Sequence, residues 1–416
     1  MANLFLAIIT IGFLFYRNIV KKQSWVAPSS VVIMLYFLSV LLSYPYMLFS
    51  GTEDILSMRF FISSIVFCVL LFLFLSPFLS FREDLINKIV LPNSRFLYVF
   101  SIIVCGVSLF SLIYFIPSSI IAIRTPDIQA ARYALLEGDT LVSHSIFNTI
   151  AGTAASFYQI PIVLFFIYQI LERHWLLKVM LLVSSFSYTF FVLSYYGRDG
   201  ILFFILSFIG LFGFFKPFLT VVFRKKIWFF FIFLVIGGLV PFLILTFSRF
   251  GDQSFRAIIS YMGQGFPNFC LMYNAKAPIT YGNVFPLFRD LLGLPEVVDS
   301  SIQKDVLESS GTFTWVFGTF LKSFVLCFGV FGTFILGFIF QFIFKHTVSK
   351  KIIFSFANLL IYFLYFQIFF QGVFYYRQYD RVGNLLIIVS FLLYFVFNLK
   401  IKLGRKNIVI CKITDN

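Results

Sequence analysis

The stretch YYGRDG, Tyr195–Gly200, sits between two apolar runs, Leu181–Tyr196 and Ile201–Phe215. Two membrane spans meet here with almost no loop. Gly197 and Asp199–Gly200 are turn chemistry. Arg198 is the group with chemistry to offer, because a guanidinium at a tight membrane-edge turn must find water, a carboxylate or an anionic ligand. Two readings stand: a snorkelling cation, or a ligand for an anion. Three acids lie beside arginines in the same way: Asp199 by Arg198, Asp252 by Arg249 and Arg256, and Asp290 by Arg289. Each can neutralise its neighbour or take a proton from a reacting hydroxyl. Asp252 is the first candidate base, and Asp199 reads as a turn residue and charge partner.

Other familiar chemistries are missing. There is no GxSxG, no HExxH, no Walker motif and no pair of aspartates inside a span. The five cysteines, Cys68, Cys105, Cys270, Cys327 and Cys411, form no close pair, so neither a disulfide framework nor a thiolate metal site is expected. The three histidines, His144, His174 and His346, have no ligand spacing. No cofactor and no metal site are expected. Ionisable groups within spans are nearly absent, with Lys322 the main exception, which argues against a proton-coupled transporter.

The elements that must position these residues are membrane spans. The chain has 416 residues, mean hydropathy +0.97, 60% apolar and 12% charged residues. Such a composition marks an all-α, polytopic α-helical membrane protein. Apolar runs predict about 11 spans: Leu4–Tyr16, Val31–Phe49, Phe60–Leu79, Phe96–Ile116, Ser145–Leu171, Leu176–Tyr196, Ile201–Phe215, Ile227–Phe247, Phe313–Phe344, Ile352–Phe370 and Val382–Leu399. The start, MANLFLAIITIGFLFYRN, has no basic residue before its apolar run and no small-residue cleavage site, so it reads as a retained span. The ninth run is long enough to tilt or break. The whole chain, 1–416, reads as one integral membrane domain with two long loops, 117–144 and 248–312, the latter between spans 8 and 9.

Alternate loops differ in charge. The segments Arg17–Lys22, Arg82–Arg95, Arg173–Lys178, Lys216–Lys226 and Lys345–Lys351, with the tail from Lys400, hold 20 of the 32 Lys and Arg. The positive-inside rule makes them cytoplasmic, with the N-terminus outside and the C-terminus inside. The +15 net charge is then topology, and nucleic acid is not an expected partner. The cytoplasmic set is mostly Lys, 14 against 6 Arg, whereas the external set has 9 Arg against 3 Lys. Arg presents a planar fork suited to phosphate and carboxylate. The external arginines are Arg59, Arg124, Arg132, Arg198, Arg249, Arg256, Arg289, Arg377 and Arg381. An anionic ligand on that face is the inference; pairing with external acids is the alternative.

Two external segments add detail. In DQSFRAIISYMGQGFPN, Phe255, Ile258, Ile259 and Met262 recur at helical spacing, as an amphipathic surface helix would. Pro267 and later X-Pro steps are expected to break the loop into short pieces. QGVFYYRQYDR joins the last two spans and packs Tyr375, Tyr376, Arg377, Tyr379, Asp380 and Arg381 together. Tyr and Arg there are either interfacial anchors or a sugar-phosphate site, in which aromatic faces stack on sugar rings. Tyr195 and Tyr196 offer the same chemistry beside Arg198. This face suits glycosyl transfer from a lipid diphosphate, with Arg stabilising the leaving group.

The apolar runs feeding YYGRDGILFFILS, the long loop after Phe247, and the Thr312–Phe334 run TFTWVFGTFLKSFVLCFGVFGTF together resemble the O-antigen polymerases, the Wzy-type oligosaccharide repeat-unit polymerases. The resemblance implies a metal-independent glycosyltransferase in the bacterial inner membrane. Such an enzyme moves a growing glycan from its undecaprenyl diphosphate carrier onto a new lipid-linked repeat unit, in O-antigen, capsule or exopolysaccharide synthesis. Its implied partners are undecaprenyl-diphosphate-linked oligosaccharide, membrane lipid and a chain-length regulator protein. Arg198 matches the family's arginine in the GR turn, and Arg249 and Arg256 match the basic start of its long loop; with Asp252 as the candidate base read above, Arg198, Arg249 and Asp252 are the expected catalytic residues. Arg132, Tyr195, Tyr196, Arg256, Arg289, Tyr376, Arg377 and Arg381 would bind substrate. An Arg followed ten residues later by Gly, present in some members, is absent after Arg124, Arg132, Arg249, Arg256 and Arg289. O-antigen ligases share the architecture but use a His in the large loop, and Ser248–Thr312 has none. An exporter or flippase of lipid-linked sugars is the alternative from another class.

Overall fold

The computed structural model describes residues 2–22, 24–125, 145–293, 300–309, 318–348, 353–403 and 407–413, with isolated positions between 126 and 144. The helices are α1 (Ala2–Lys22), α2 (Pro28–Ser50), α3 (Phe61–Ser80), α4 (Ser94–Arg124), α5 (Ile146–Ser156), α6 (Gln159–Ile170), α7 (Trp175–Ser184), α8 (Ser187–Leu193) and α9 (Asp199–Phe215). They continue as α10 (Val221–Phe250), α11 (Ser254–Gly263), α12 (Gly265–Ala275), α13 (Pro286–Leu291), α14 (Ser300–Ser309), α15 (Phe320–Thr347), α16 (Phe356–Gln371) and α17 (Arg381–Leu403). Three short strands accompany them: β1 (Lys88–Leu91), β2 (Ile353–Ser355) and β3 (Ile408–Cys411).

This is an all-α polytopic membrane protein. Among the described residues, eight helical stretches are long and apolar enough to cross a membrane: Ala2–Val20, Pro28–Ser50, Met58–Leu85, Ser94–Arg124, Trp175–Leu193, Asp199–Phe218, Phe320–Thr347 and Arg381–Lys402. The α5–α6 pair passes the same test as one span bent by 47°. Helices are the physical answer to hydrocarbon, where every backbone polar group must be satisfied internally. Serines within these apolar helices turn their hydroxyls back on their own carbonyls, as Ser64 does to Phe60 O (2.9 Å) and Ser101 to Leu97 O (2.7 Å).

The chain packs as two compact units. One comprises residues 1–83, 255–350 and 361–387; the other comprises 84–254, 351–360 and 388–416. In the first, α3 and α15 pack through aromatic rings. Phe74 meets Phe320, Phe324 and Phe340 with ring centroids 5.2–5.6 Å apart. Glu83 joins two further helices, accepting from Tyr362 Oη (2.6 Å) and from Ser29 N (3.3 Å) in the first turn of α2, where the helix dipole favours an anion.

Two parts of this unit bear on the sequence expectation: one departs from it and one follows it. Pro267 does not break the 248–312 segment. It stands in the first turn of α12, where a proline loses no intrahelical bond. α12 is buried, with Phe266 and Phe269 edge-on to Phe67 of α3, so this part of the loop is core. Its approach is close. Ser39 and Ser43 of α2 donate to Met262 O (2.7 Å) and Gly263 O (2.8 Å), and a side chain at Gly263 would strike the Leu42 carbonyl. The ninth run does break. Gly329 in α15 is non-helical, with φ 68° and ψ 177°. The carbonyls of Leu326 and Cys327 there accept from Thr280 N (3.1 Å) and Tyr281 N (2.9 Å).

In the second unit, Ser111 and Ser119 of α4 donate to Ala151 O of α5 (2.7 Å) and Phe190 O of α8 (2.6 Å). Small polar residues let these helices approach closely. Tyr158 stacks on Tyr188 at 4.7 Å and hydrogen-bonds Ser207 of α9 at 2.8 Å. The strands form one sheet of order β2-β1-β3, with Ile89 of β1 opposite Phe354 (parallel) and Ile410 (antiparallel). Residues 353–355 are therefore strand, and α16 starts at Phe356 rather than at Ile352. A hydrogen-bonded sheet lies on one side of a membrane. The segments around residues 88, 353 and 408, which all belong to or directly follow loops of the more basic set, therefore share a side.

Candidate functional site

The α8–α9 turn is built by its backbone. Gly197 N donates to Val192 O and Tyr196 N to Leu193 O, both at 2.9 Å. These are the paired bonds of a Schellman helix end. The left-handed position, where glycine is usual, is held by Tyr196 at φ 55°. The two glycines have a different task. A Cβ at Gly197 would stand 3.0 Å from Val192 O, and one at Gly200 would stand 2.8 Å from Val192 Cβ. The chain reverses so tightly that only glycine fits. Arg198 then stands at the N-cap position of α9, with no side-chain capping bond, and Asp199 is the first helical residue, at the positive end of the helix.

Arg198 Nη1 donates to Thr246 Oγ1 at 2.7 Å. Thr246 is buried on α10, and its carbonyl accepts from Ser254 Oγ at 3.3 Å. The same hydroxyl donates to Gly251 O at 2.6 Å. Thus the turn is tied to the end of α10, the stretch that carries Arg249 and Asp252. Arg249 follows Thr246 by about one helical turn, and its side chain lies outside what is described. Asp252 is exposed in the short turn Gly251–Gln253. Tyr195 is half-buried, edge-on to Phe191, and its hydroxyl accepts from Asn148 Nδ2 at 3.0 Å. Tyr196, Gly197 and Arg198 line a small cavity with Ala122, Ile123, Ile128 and Leu193. Its volume is about 10 Å³, room for a single water. A guanidinium presents five donors in a planar fork, a geometry suited to an oxyanion. Arg132 lies outside the described residues.

The other predicted arginines belong to the first unit. Arg381 donates through Nε (3.1 Å) and Nη2 (2.7 Å) to Asp290 Oδ2, joining α17 to α13. Arg289 donates to Asn283 Oδ1 at 2.8 Å and stands 3.9 Å from Asp290. Arg377 pairs with Asp380 at 3.3 Å. Asp380 Oδ1 also accepts from Gly383 N at 2.6 Å and so caps α17. Charge pairing therefore accounts for Asp290 and Asp380. Arg256 lies 5.4 Å from the Phe49 ring centre, a cation–π contact with α2.

The expectation of a sugar-stacking face at Tyr376 is corrected. Its side chain is 1% exposed, with the ring 4.7 Å from Phe324 and 6.0 Å from Phe285. Burial, with smaller effects from Cys327 and Asp380, holds its phenol well above the usual range. Sequence reasoning missed Thr246 and Asn384. Asn384 donates to Val284 O (3.2 Å) and Gln378 O (2.8 Å) and accepts from Leu287 N (3.2 Å). A lone Thr or Asn in an apolar run carries no periodic signal that could have marked either.

Among the described residues, no three His, Cys, Asp or Glu side chains gather as a metal site. No protein-family model, curated protein or solved structure matches the chain.

Proposed function

We propose that the chain is a glycan polymerase of the oligosaccharide repeat-unit (Wzy) type. It would join undecaprenyl-diphosphate-linked oligosaccharides at the outer face of the bacterial cytoplasmic membrane. The observation that carries this reading is Arg198, held in a glycine-bounded turn and tied through Thr246 to the end of α10. In the reaction, an acceptor hydroxyl of the new unit attacks the anomeric carbon of the growing chain. The bond from that carbon to the diphosphate oxygen breaks, and the carrier diphosphate leaves with the bonding pair. Arg198 and Arg249 neutralise the charge that develops on it. Asp252 receives the hydroxyl proton.

The topology is read as eleven spans with the C-terminus inside. Only α16 and α17 lie between β2 and β3, which share a side through β1. If α17 crosses, the 16-residue α16 crosses too. Between β1 and β2, α4, α5–α6, α7–α8, α9 and α15 are long and apolar enough to cross, and counting the 30-residue α10 as a crossing makes the number even, which again restores the side. The positive-inside rule makes that side cytoplasmic and turns the Arg198 loop outward.

Arg198→Ala or Arg249→Ala is expected to abolish long glycan chains while single lipid-linked units and protein level persist. Normal chain-length ladders from both variants would sink the diphosphate role. A flippase or exporter is the second reading, favoured by the break in α15, since discontinuous membrane helices are a transporter device. Purified protein with radiolabelled lipid-linked units separates the two: a polymerase makes oligomers, and a flippase only relocates its substrate.

A further inference from the structure

Lys322 is a lysine in the first turn of an apolar membrane helix, and it is 0% exposed. The fold makes room for it. Gly318 has φ 141°, and a Cβ there would stand 2.6 Å from Lys322 Cδ, so the lysine stem lies against bare backbone. The corner around it is made by two backbone bonds, Gly318 N to Phe374 O (3.2 Å) and Phe320 N to Gly372 O (2.8 Å). They bring the end of α16 against the start of α15, with Thr319 between the bonded residues and Gln371 just before Gly372. Gln378 Nε2 donates to Gln371 Oε1 at 2.9 Å.

Three polar atoms of this corner have no hydrogen-bond partner among the described residues: Thr319 Oγ1, Gln371 Nε2 and Gln378 Oε1. All three side chains are at most 1% exposed. Unsatisfied buried groups cost free energy and call for an explanation, an unseen ion or ligand among them. Two of these atoms, Thr319 Oγ1 and Gln371 Nε2, are donors, and Gln378 Oε1 is an acceptor; they stand at the positive end of α15, whose first turn carries Lys322. The two donors and the helix end suit an oxyanion. Further along α15, Phe331, Ile335, Phe338, Ile339 and Phe342 form an exposed apolar stripe at helical spacing, suited to a hydrocarbon tail attached to that anion.

We infer that the corner of Thr319, Lys322 and Gln371, with Gln378 orienting Gln371, binds the diphosphate of a lipid carrier. This deepens the polymerase reading and rests on it, because joining two lipid-linked units requires two carrier diphosphates to be held. One is assigned to Arg198 and the second to Lys322.

The test counts bound probe. Full-length protein in detergent is titrated with farnesyl diphosphate and, separately, with inorganic diphosphate, and stoichiometry is read by native mass spectrometry. Wild type is expected to hold two farnesyl diphosphates, at least tenfold more tightly than inorganic diphosphate. Lys322→Met should hold one. Gln371→Glu, which keeps the side-chain volume and supplies its own anion, should also hold one. Lys225→Met, at an exposed lysine of α10, should hold two. Thermal melts show which variants are folded, and Gln371→Glu stands in if Lys322→Met is not. A count unchanged from wild type in a folded Lys322→Met or Gln371→Glu, or equal affinity for inorganic diphosphate, overturns the inference; a single wild-type site that Lys322→Met removes overturns the Arg198 assignment instead. If two farnesyl diphosphates bind but reconstituted protein makes no oligomers from lipid-linked repeat units, the polymerase reading fails and the binding corner stands.

Discussion

At the scale of single residues, Tyr196 is the most informative. An L-residue in the left-handed region costs roughly 1–2 kcal/mol relative to the right-handed one, and glycine would fill the position without that strain. The tyrosine lines the small cavity with Gly197 and Arg198, and a role for its ring there is testable. Tyr196→Gly is expected to leave the denaturation midpoint no lower than wild type, because relief of strain offsets glycine's greater freedom in the unfolded chain. Long glycan chains should be lost at the same time. A clearly lower midpoint would assign the ring to packing instead. Arginines were legible in sequence as a class, through the Arg-over-Lys bias of one set of alternate loops. Their partners were not, because Arg381 and Asp290 are 91 positions apart and meet only when α13 and α17 do.

Elements were legible where they were long and apolar. The spans could be read from hydropathy because the hydrocarbon slab demands one length and one chemistry. The short elements could not. Ile353–Ser355 looks like the start of a span, and only pairing with Ile89 and its neighbours makes it a strand. Helix α12 looks like loop, yet tertiary burial holds it as core. The junction of α3 with α15 tests whether close packing sets the element arrangement. A Cβ at Gly337 would stand 2.8 Å from Leu73 Cγ and 3.3 Å from Phe74 Cε2. Gly337→Leu is expected to force the two helices apart, at a cost of about 1–3 kcal/mol for overpacking. The readout is a lower unfolding midpoint in detergent. Gly106→Leu, where nothing lies within 4 Å, should leave the midpoint near wild type.

At the scale of the whole molecule, sidedness is the testable quantity. Of the five cysteines, only Cys411 is exposed. Cys270 is buried, and burial pushes its thiol up to about 12, so it stays unreactive near neutral pH. A membrane-impermeant maleimide is expected to label Cys411 in inside-out vesicles and not in intact cells. Tyr281→Cys, in the exposed stretch between α12 and α13 and made in a Cys411→Ser background, should show the opposite pattern. Labelling of both positions from the same side would contradict the eleven-span topology.

The sequence by itself determined the class of the protein, the existence of its long spans and the two sets of alternating loops. Those depend on composition and local charge, which act through the surrounding lipid and do not need the chain to meet itself. Only the tertiary structure decided that Tyr376 is core, that Thr246 holds Arg198, and that the long ninth helix breaks at Gly329. It also placed unsatisfied polar groups beside Lys322. Each of these depends on residues far apart in sequence, where burial and hydrogen-bond satisfaction, rather than local pattern, set the outcome.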